Sequence, residues 1–143
     1  MDFKYKEQIN SLLSYGVTLP ELIEPNDKLC YRFIFKDNLE KNHIPAYLIN
    51  PQRALTDLRK SKASTSGYAL SCFEDENKAK ERFASLSASI PMIRKTIGDS
   101  LSSGTLTNSD GLISKSDRHT THFDLYEYCE CNLSVTFKYQ YKL

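Results

Sequence analysis

An α+β fold is what this sequence predicts: a mostly antiparallel, curved sheet packed by two or three helices. Three observations carry that expectation. DFKYKEQINSLLSYG and EDENKAKERFASLSASI place apolar residues at helical spacing. KLCYRFIF and YALSCF have strand composition. From Gly98 onward, short alternating runs lie between turn signals, and the region reads as all-β. With 143 residues, 40 % of them apolar, the chain is expected to form one compact domain over residues 1–143.

The elements follow in order. Phe3, Ile9, Leu12 and Leu13 mark a first helix over about Lys4–Tyr15, with Gly16 as its C-cap. Pro20 and Pro25 make the next stretch a connector. In KLCYRFIF, Leu29, Tyr31 and Phe33 share one strand face, and Cys30, Arg32 and Ile34 the other. PAYLI, bounded by Pro45 and Pro51, is expected as a short strand, with His43 in a surface loop before it. Asn50 as cap and Pro51 at the first helical position then start a helix of about three turns. SKASTSG breaks the pattern before the strand YALSCF. The strongest helix runs over 74–90. Its Ala79, Phe83, Leu86 and Ile90 face the sheet, Glu74 or Asp75 caps it, and Pro91 ends it near Ser89. GTLTNSDGLIS predicts a hairpin turning at Asp110-Gly111. HFDLYEYC and the run through Leu133, Val135, Phe137 and Tyr139 predict two half-buried strands that pair across a turn at the residues between them.

Charge and cysteine usage narrow the function classes. Basic and acidic side chains number 19 and 18, which argues against a strong non-specific grip on phosphate backbones. Arg53, Arg59, Lys60 and Lys62 form a short basic cluster around Asp57. That cluster is either a solvated face or a local nucleic-acid contact. The opening MDFKYKEQINSLL has no apolar core of signal-peptide type, and no run reaches the ~18 apolar residues of a membrane span. A cytoplasmic location with reduced thiols is therefore expected. Cys129 and Cys131 stand two apart, a spacing that matches neither a redox pair nor a zinc knuckle, so no metal site is expected.

Four candidate sites stand out. Arg32 lies between apolar neighbours, so it is either on the solvated face of an edge strand or directed inward to a carboxylate or ligand. Ser64, Thr65 and Ser66 carry hydroxyls able to hydrogen-bond a phosphate or ribose, and Gly67 lets a backbone approach. In DRHTTHFDLYEYCECNL, His122 and Asp124 suit a histidine–acid pair, with Ser71 or Cys72 as a nucleophile brought near in space. Tyr126 and Tyr128 head a tyrosine-rich tail suited to a protein contact.

The order of an early strand Arg32, then Ser64-Thr65-Ser66, then Glu127 or Glu130 resembles mono-ADP-ribosyltransferases. That resemblance implies NAD as co-substrate. Arg32 would hold its phosphate or ribose, Ser64 would order the nicotinamide side, and a glutamate would stabilise the oxocarbenium-like ribose. Without it, no cofactor is expected. The leading expectation is a non-catalytic protein that binds a protein partner or itself through Tyr126 and Tyr128. A transferase using Arg32, Ser64, His122 and Glu127 or Glu130 is the alternative. A nucleic-acid domain using Arg53, Arg59, Lys60 and Lys62 is the second.

Overall fold

A computed structural model describes residues 1–143. Seven strands form one antiparallel sheet: β1 (Leu22–Ile23), β2 (Lys28–Ile34), β3 (Leu70–Phe73), β4 (Ser100–Leu106), β5 (Gly111–Ser114), β6 (His122–Glu127) and β7 (Lys138–Lys142). Their spatial order is β1-β5-β6-β3-β2-β4-β7. The expected α+β class holds, with several helices packed on the sheet. No helix is long and apolar enough to cross a membrane.

The longer helices form where their spacing and caps require. α1 spans Lys6–Ser14 and buries Ile9 and Leu12. α2 (Ala46–Ile49) and α3 (Pro51–Arg59) meet at Asn50, with Pro51 opening α3. α4 (Glu76–Ser89) is capped by Asp75, whose carboxylate accepts from the Lys78 amide at 2.9 Å. Ala79 and Phe83 are its buried residues. Ile90, ahead of Pro91, is extended, so it stands outside the helix and 40 % exposed rather than on its packed face. α5 (Ile93–Thr96) and α6 (Leu133–Thr136) are single turns.

Three local expectations fail, each for a physical reason. PAYLI is helical: Pro45 is the extended residue before α2, not the start of a strand. Thr107–Asp110 is a turn, closed by the Asp110 amide donating to the Thr107 carbonyl at 3.1 Å, yet β4 and β5 are not hairpin partners. β6, β3 and β2 lie between them. In a flat sheet that places them about 19 Å apart, whereas such a turn spans about 7 Å. The sheet must therefore curl until β4 and β5 approach at one end. The third failure is the pairing of the last two strands. Residues 133–136 form α6, and β7 pairs with β4 at the opposite side of the sheet. Leu133 and Phe137 are both buried while Val135 is 63 % exposed. Positions four apart satisfy a helical turn as well as a strand.

Curling creates an inner face filled by Cys30, Leu70, Cys72, Leu106, Ile113, Phe123 and Leu125, closed by Cys131, Leu133 and Phe137. Each fully buried leucine there contributes roughly 2–3 kcal/mol. The outer face carries two separate covers. Phe73, Ala79 and Leu101 pack together under α4, and Ile9, Ala69 and Tyr126 pack under α1.

Candidate functional site

β2 and β3 are neighbours at the centre of the sheet, but they pair at one position only, Tyr31 with Phe73. β4, on the other side of β2, pairs along its full length. Beyond Tyr31 the central strands splay, and the gap opens into a cleft of about 560 Å³. Arg32, Phe33, Phe35, Leu70 and Ser71 line it from the strands. Residues 41–46, Ile49, Asn50 and Arg53 line it from the α2–α3 corner, and Thr96 and Ile97 from behind α5. Two close approaches hold these parts in place. At Gly67 a Cβ would sit 2.2 Å from the Tyr47 ring, so the 65–68 turn presses on α2 only because this residue has no side chain. At Gly98 (φ +148°) a Cβ would sit 2.7 Å from the Ile34 carbonyl, so the same holds for the segment after α5 against the end of β2.

Arg32 decides the character of the cleft. It stands on the inner face of a central strand and is 7 % exposed, so it is not on a solvated edge. Its Nε donates to His43 Nδ1 at 3.1 Å, and its Nη1 donates to the Ser71 carbonyl, which the splayed strands leave unpaired. Its guanidinium carbon lies 6.0 Å from the Phe137 ring centre. Nη2 has no protein partner. The sealed side-chain atoms without a hydrogen bond reduce to Glu127 Oε1 alone, so Nη2 keeps some contact with solvent, and Arg32 is one of the residues that line the cleft. No carboxylate pairs with this cation, although every other buried charge has a partner: Glu127 meets Lys4 Nζ at 3.0 Å.

His43 supports that arrangement. Burial, then the charges of Arg32 and Lys4, push its imidazole down to about 3, so it is neutral at pH 7 and its Nδ1 is free to accept. Its backbone is left-handed (φ 61°), which costs a residue with a side chain about 1–2 kcal/mol. Asn42 fixes the loop from the other side. Its Oδ1 accepts from the Phe35 amide at 2.7 Å, and its Nδ2 donates to the Phe35 carbonyl at 3.0 Å. Beneath Arg32, burial pushes the Cys72 thiol up while a hydrogen bond to Cys30 and the guanidinium pull it down, with a net fall.

The remaining sequence candidates lie elsewhere. Ser64 caps a 3-10 turn over Thr65–Tyr68, its Oγ accepting from the Ser66 amide at 3.2 Å, and it borders a separate depression with Tyr15–Thr18. Of that triplet only Ser66 reaches the Arg32 cleft. Glu127 is buried against Lys4. Burial pulls the Lys4 ammonium down, but the hydrogen bond and charge of Glu127 outweigh it and hold it above its ordinary value. Glu130 is exposed in a turn. Arg32 and Ser64 line different clefts, and neither Glu127 nor Glu130 lines either of them.

His122 lies beside the serine that the sequence suggested as its neighbour in space. Its Nε2 lies 3.0 Å from Ser71 Oγ, with Asp124 Oδ1 at 3.5 Å. Burial pushes the Asp124 carboxyl up, against the pull of His122. Both oxygens approach the same ring nitrogen, so Asp124 does not hold the far side of the imidazole as a catalytic triad requires. Tyr126, expected on a contact surface, is 1 % exposed and bonded to Thr65 Oγ1 at 2.9 Å. Tyr128 is half-buried, stacked on Phe3. Arg59 and Lys60 are exposed beyond the cleft, and only Arg53 of the basic cluster lines it, 3.6 Å from Asp57. No group of three or more His, Cys, Asp or Glu side chains is arranged to hold a metal.

Sequence reasoning missed His43, Ile44, Ile49 and Ile97 as parts of one place. The available signal was HIPAYLI, an apolar run flanked by His43 and ending at the exposed Ile49. Comparisons with protein-family models, with curated proteins and with solved structures found no match.

Proposed function

We propose that the protein is a non-catalytic binding protein, the whole 1–143 chain acting as one unit that takes part of a partner protein into the cleft between β2 and β3. One observation carries this reading. Three exposed isoleucines, Ile44, Ile49 and Ile97, border a cleft whose charged lining is Arg32, Lys41 and Arg53, with no carboxylate among them. Exposed aliphatic side chains around a concavity mark protein contacts. Both sheet edges are poor alternatives. β1 has two residues between Pro20 and Pro25, and β7 carries Lys138 and Lys142 and an irregular register against β4. Short strands, lysines and bulges are the devices that discourage an added strand. Four free cysteines support a reducing, cytoplasmic setting.

The test is capture and self-association of wild type beside Ile49→Glu and Ile97→Glu, both at exposed positions. A specific partner, or a dimer seen by light scattering, that is lost in both variants supports the reading. The same partner or dimer retained in both overturns it.

A further inference from the structure

We propose that the cleft recognises an acidic, aliphatic-containing segment of its partner, anchored by one carboxylate that Arg32 Nη2 receives at the bottom of the cleft. This rests on the binding reading above and adds the chemistry of the occupant. A buried guanidinium without a carboxylate is a costly feature to retain, because desolvation weakens the charge's hydration and neutral hydrogen bonds replace it only in part. Here the neighbours of Arg32 are a neutral imidazole, a carbonyl, a thiol and a ring face. Two of its nitrogens are held by His43 and Ser71, so the third is already oriented, as a guanidinium that receives a carboxylate must be.

The distribution of charge points to acidic side chains rather than one chain end. Lys41 and Arg53 are exposed residues of the same cleft, so cations stand both deep in it and at its mouth. Arg53 already meets Asp57 at 3.6 Å, so the cations left for a ligand are Arg32 and Lys41; a C-terminal carboxylate answers one of them, whereas a segment with several acidic residues answers both. Ile44, Ile49 and Ile97 provide aliphatic contact for the residues between.

The probes are two end-capped synthetic peptides, one alternating isoleucine with glutamate and one with glutamine in place of each glutamate. Their binding to the full chain is measured by calorimetry. The glutamate peptide is expected to bind wild type at least about tenfold more tightly than the glutamine peptide. Arg32→Lys, which keeps the charge but not the planar fork, is expected to lose most of that preference, and Ile49→Glu to weaken both peptides. Should Arg32→Lys fail to fold, the Arg32 Nε–Hε resonance of wild type carries the test: a shift with the glutamate peptide and none with the glutamine peptide supports the anchor, and no shift with either overturns it. Equal affinity for the two peptides, with Ile49→Glu weakening both, overturns the carboxylate anchor and leaves the docking reading standing. No saturable binding of the glutamate peptide by about 1 mM also overturns the anchor. The docking reading then falls or stands on the capture experiment alone.

Discussion

Replacing Phe83 with alanine removes a ring that is 4 % exposed between α4 and the sheet. Phe33 meets it edge-on at 5.3 Å between centroids, and the Arg94 guanidinium lies over it at 5.3 Å. Burial of the ring sets the scale, since Phe→Ala in a core costs about 3–5 kcal/mol. The edge-to-face pair adds about 0.5–1.5 kcal/mol beyond area. The contact with exposed Arg94 adds about 0.5–1 kcal/mol. The expected loss therefore lies at the upper end of the Phe→Ala range, about 5 kcal/mol. Urea titration followed by circular dichroism measures it. The midpoint should fall with the slope unchanged. A loss below about 1 kcal/mol refutes the packing of α4 on β2 and β3 through this face.

Two further outcomes follow from the same structure. The folded protein keeps His43 neutral down to about pH 3, while an unfolded histidine protonates near 6.5. The unfolded chain therefore binds the extra proton between those values, and stability falls as pH is lowered from 6.5, by about 1.4 kcal/mol per unit. His43→Gln, which keeps an acceptor near Arg32, should lose that dependence. Urea titrations at pH 6.5 and 5 should show wild type losing about 2 kcal/mol more than the variant, and parallel losses contradict it. Maleimide should label one of the four thiols of the folded protein quickly, because Cys129 is exposed while Cys30, Cys72 and Cys131 are buried. Mass spectrometry showing two or more fast additions contradicts that burial.

The sequence made the longer helices, α1, α3 and α4, legible because their signals are local. Asp75, the apolar spacing of Ala79 and Phe83, and Pro91 define α4 with no help from the rest of the chain. A turn within NSDG was legible for the same reason, though it closes over Thr107–Asp110 rather than at Asp110-Gly111, where Gly111 already opens β5, and which strands it joins was not legible. Strand order depends on pairings between residues far apart, such as β2 with β4 and β4 with β7, and no residue near the turn encodes them. Arg32 shows the limit most clearly. Alternation placed it on one face with Cys30 and Ile34, which raised the question of its partner. Whether that face is solvent or core depends on β3 and β4 flanking β2. His43 is invisible in sequence because its role comes from a left-handed backbone and a loop clamped by Asn42. Tyr126 misled for the opposite reason. Its alternation fitted an outward face, and the outward face at that point is covered by Ile9 and Ala69.

The carboxylate anchor is tested most directly by nuclear magnetic resonance of isotopically labelled protein titrated with the capped isoleucine–glutamate peptide. The Arg32 Nε–Hε signal and the His43 ring carbons are followed together, since the two side chains are hydrogen-bonded. Both are predicted to shift saturably with one dissociation constant, and to stay still when the glutamine peptide is added. Saturation of backbone signals elsewhere while Arg32 and His43 do not move, or equal movement with both peptides, contradicts the anchor.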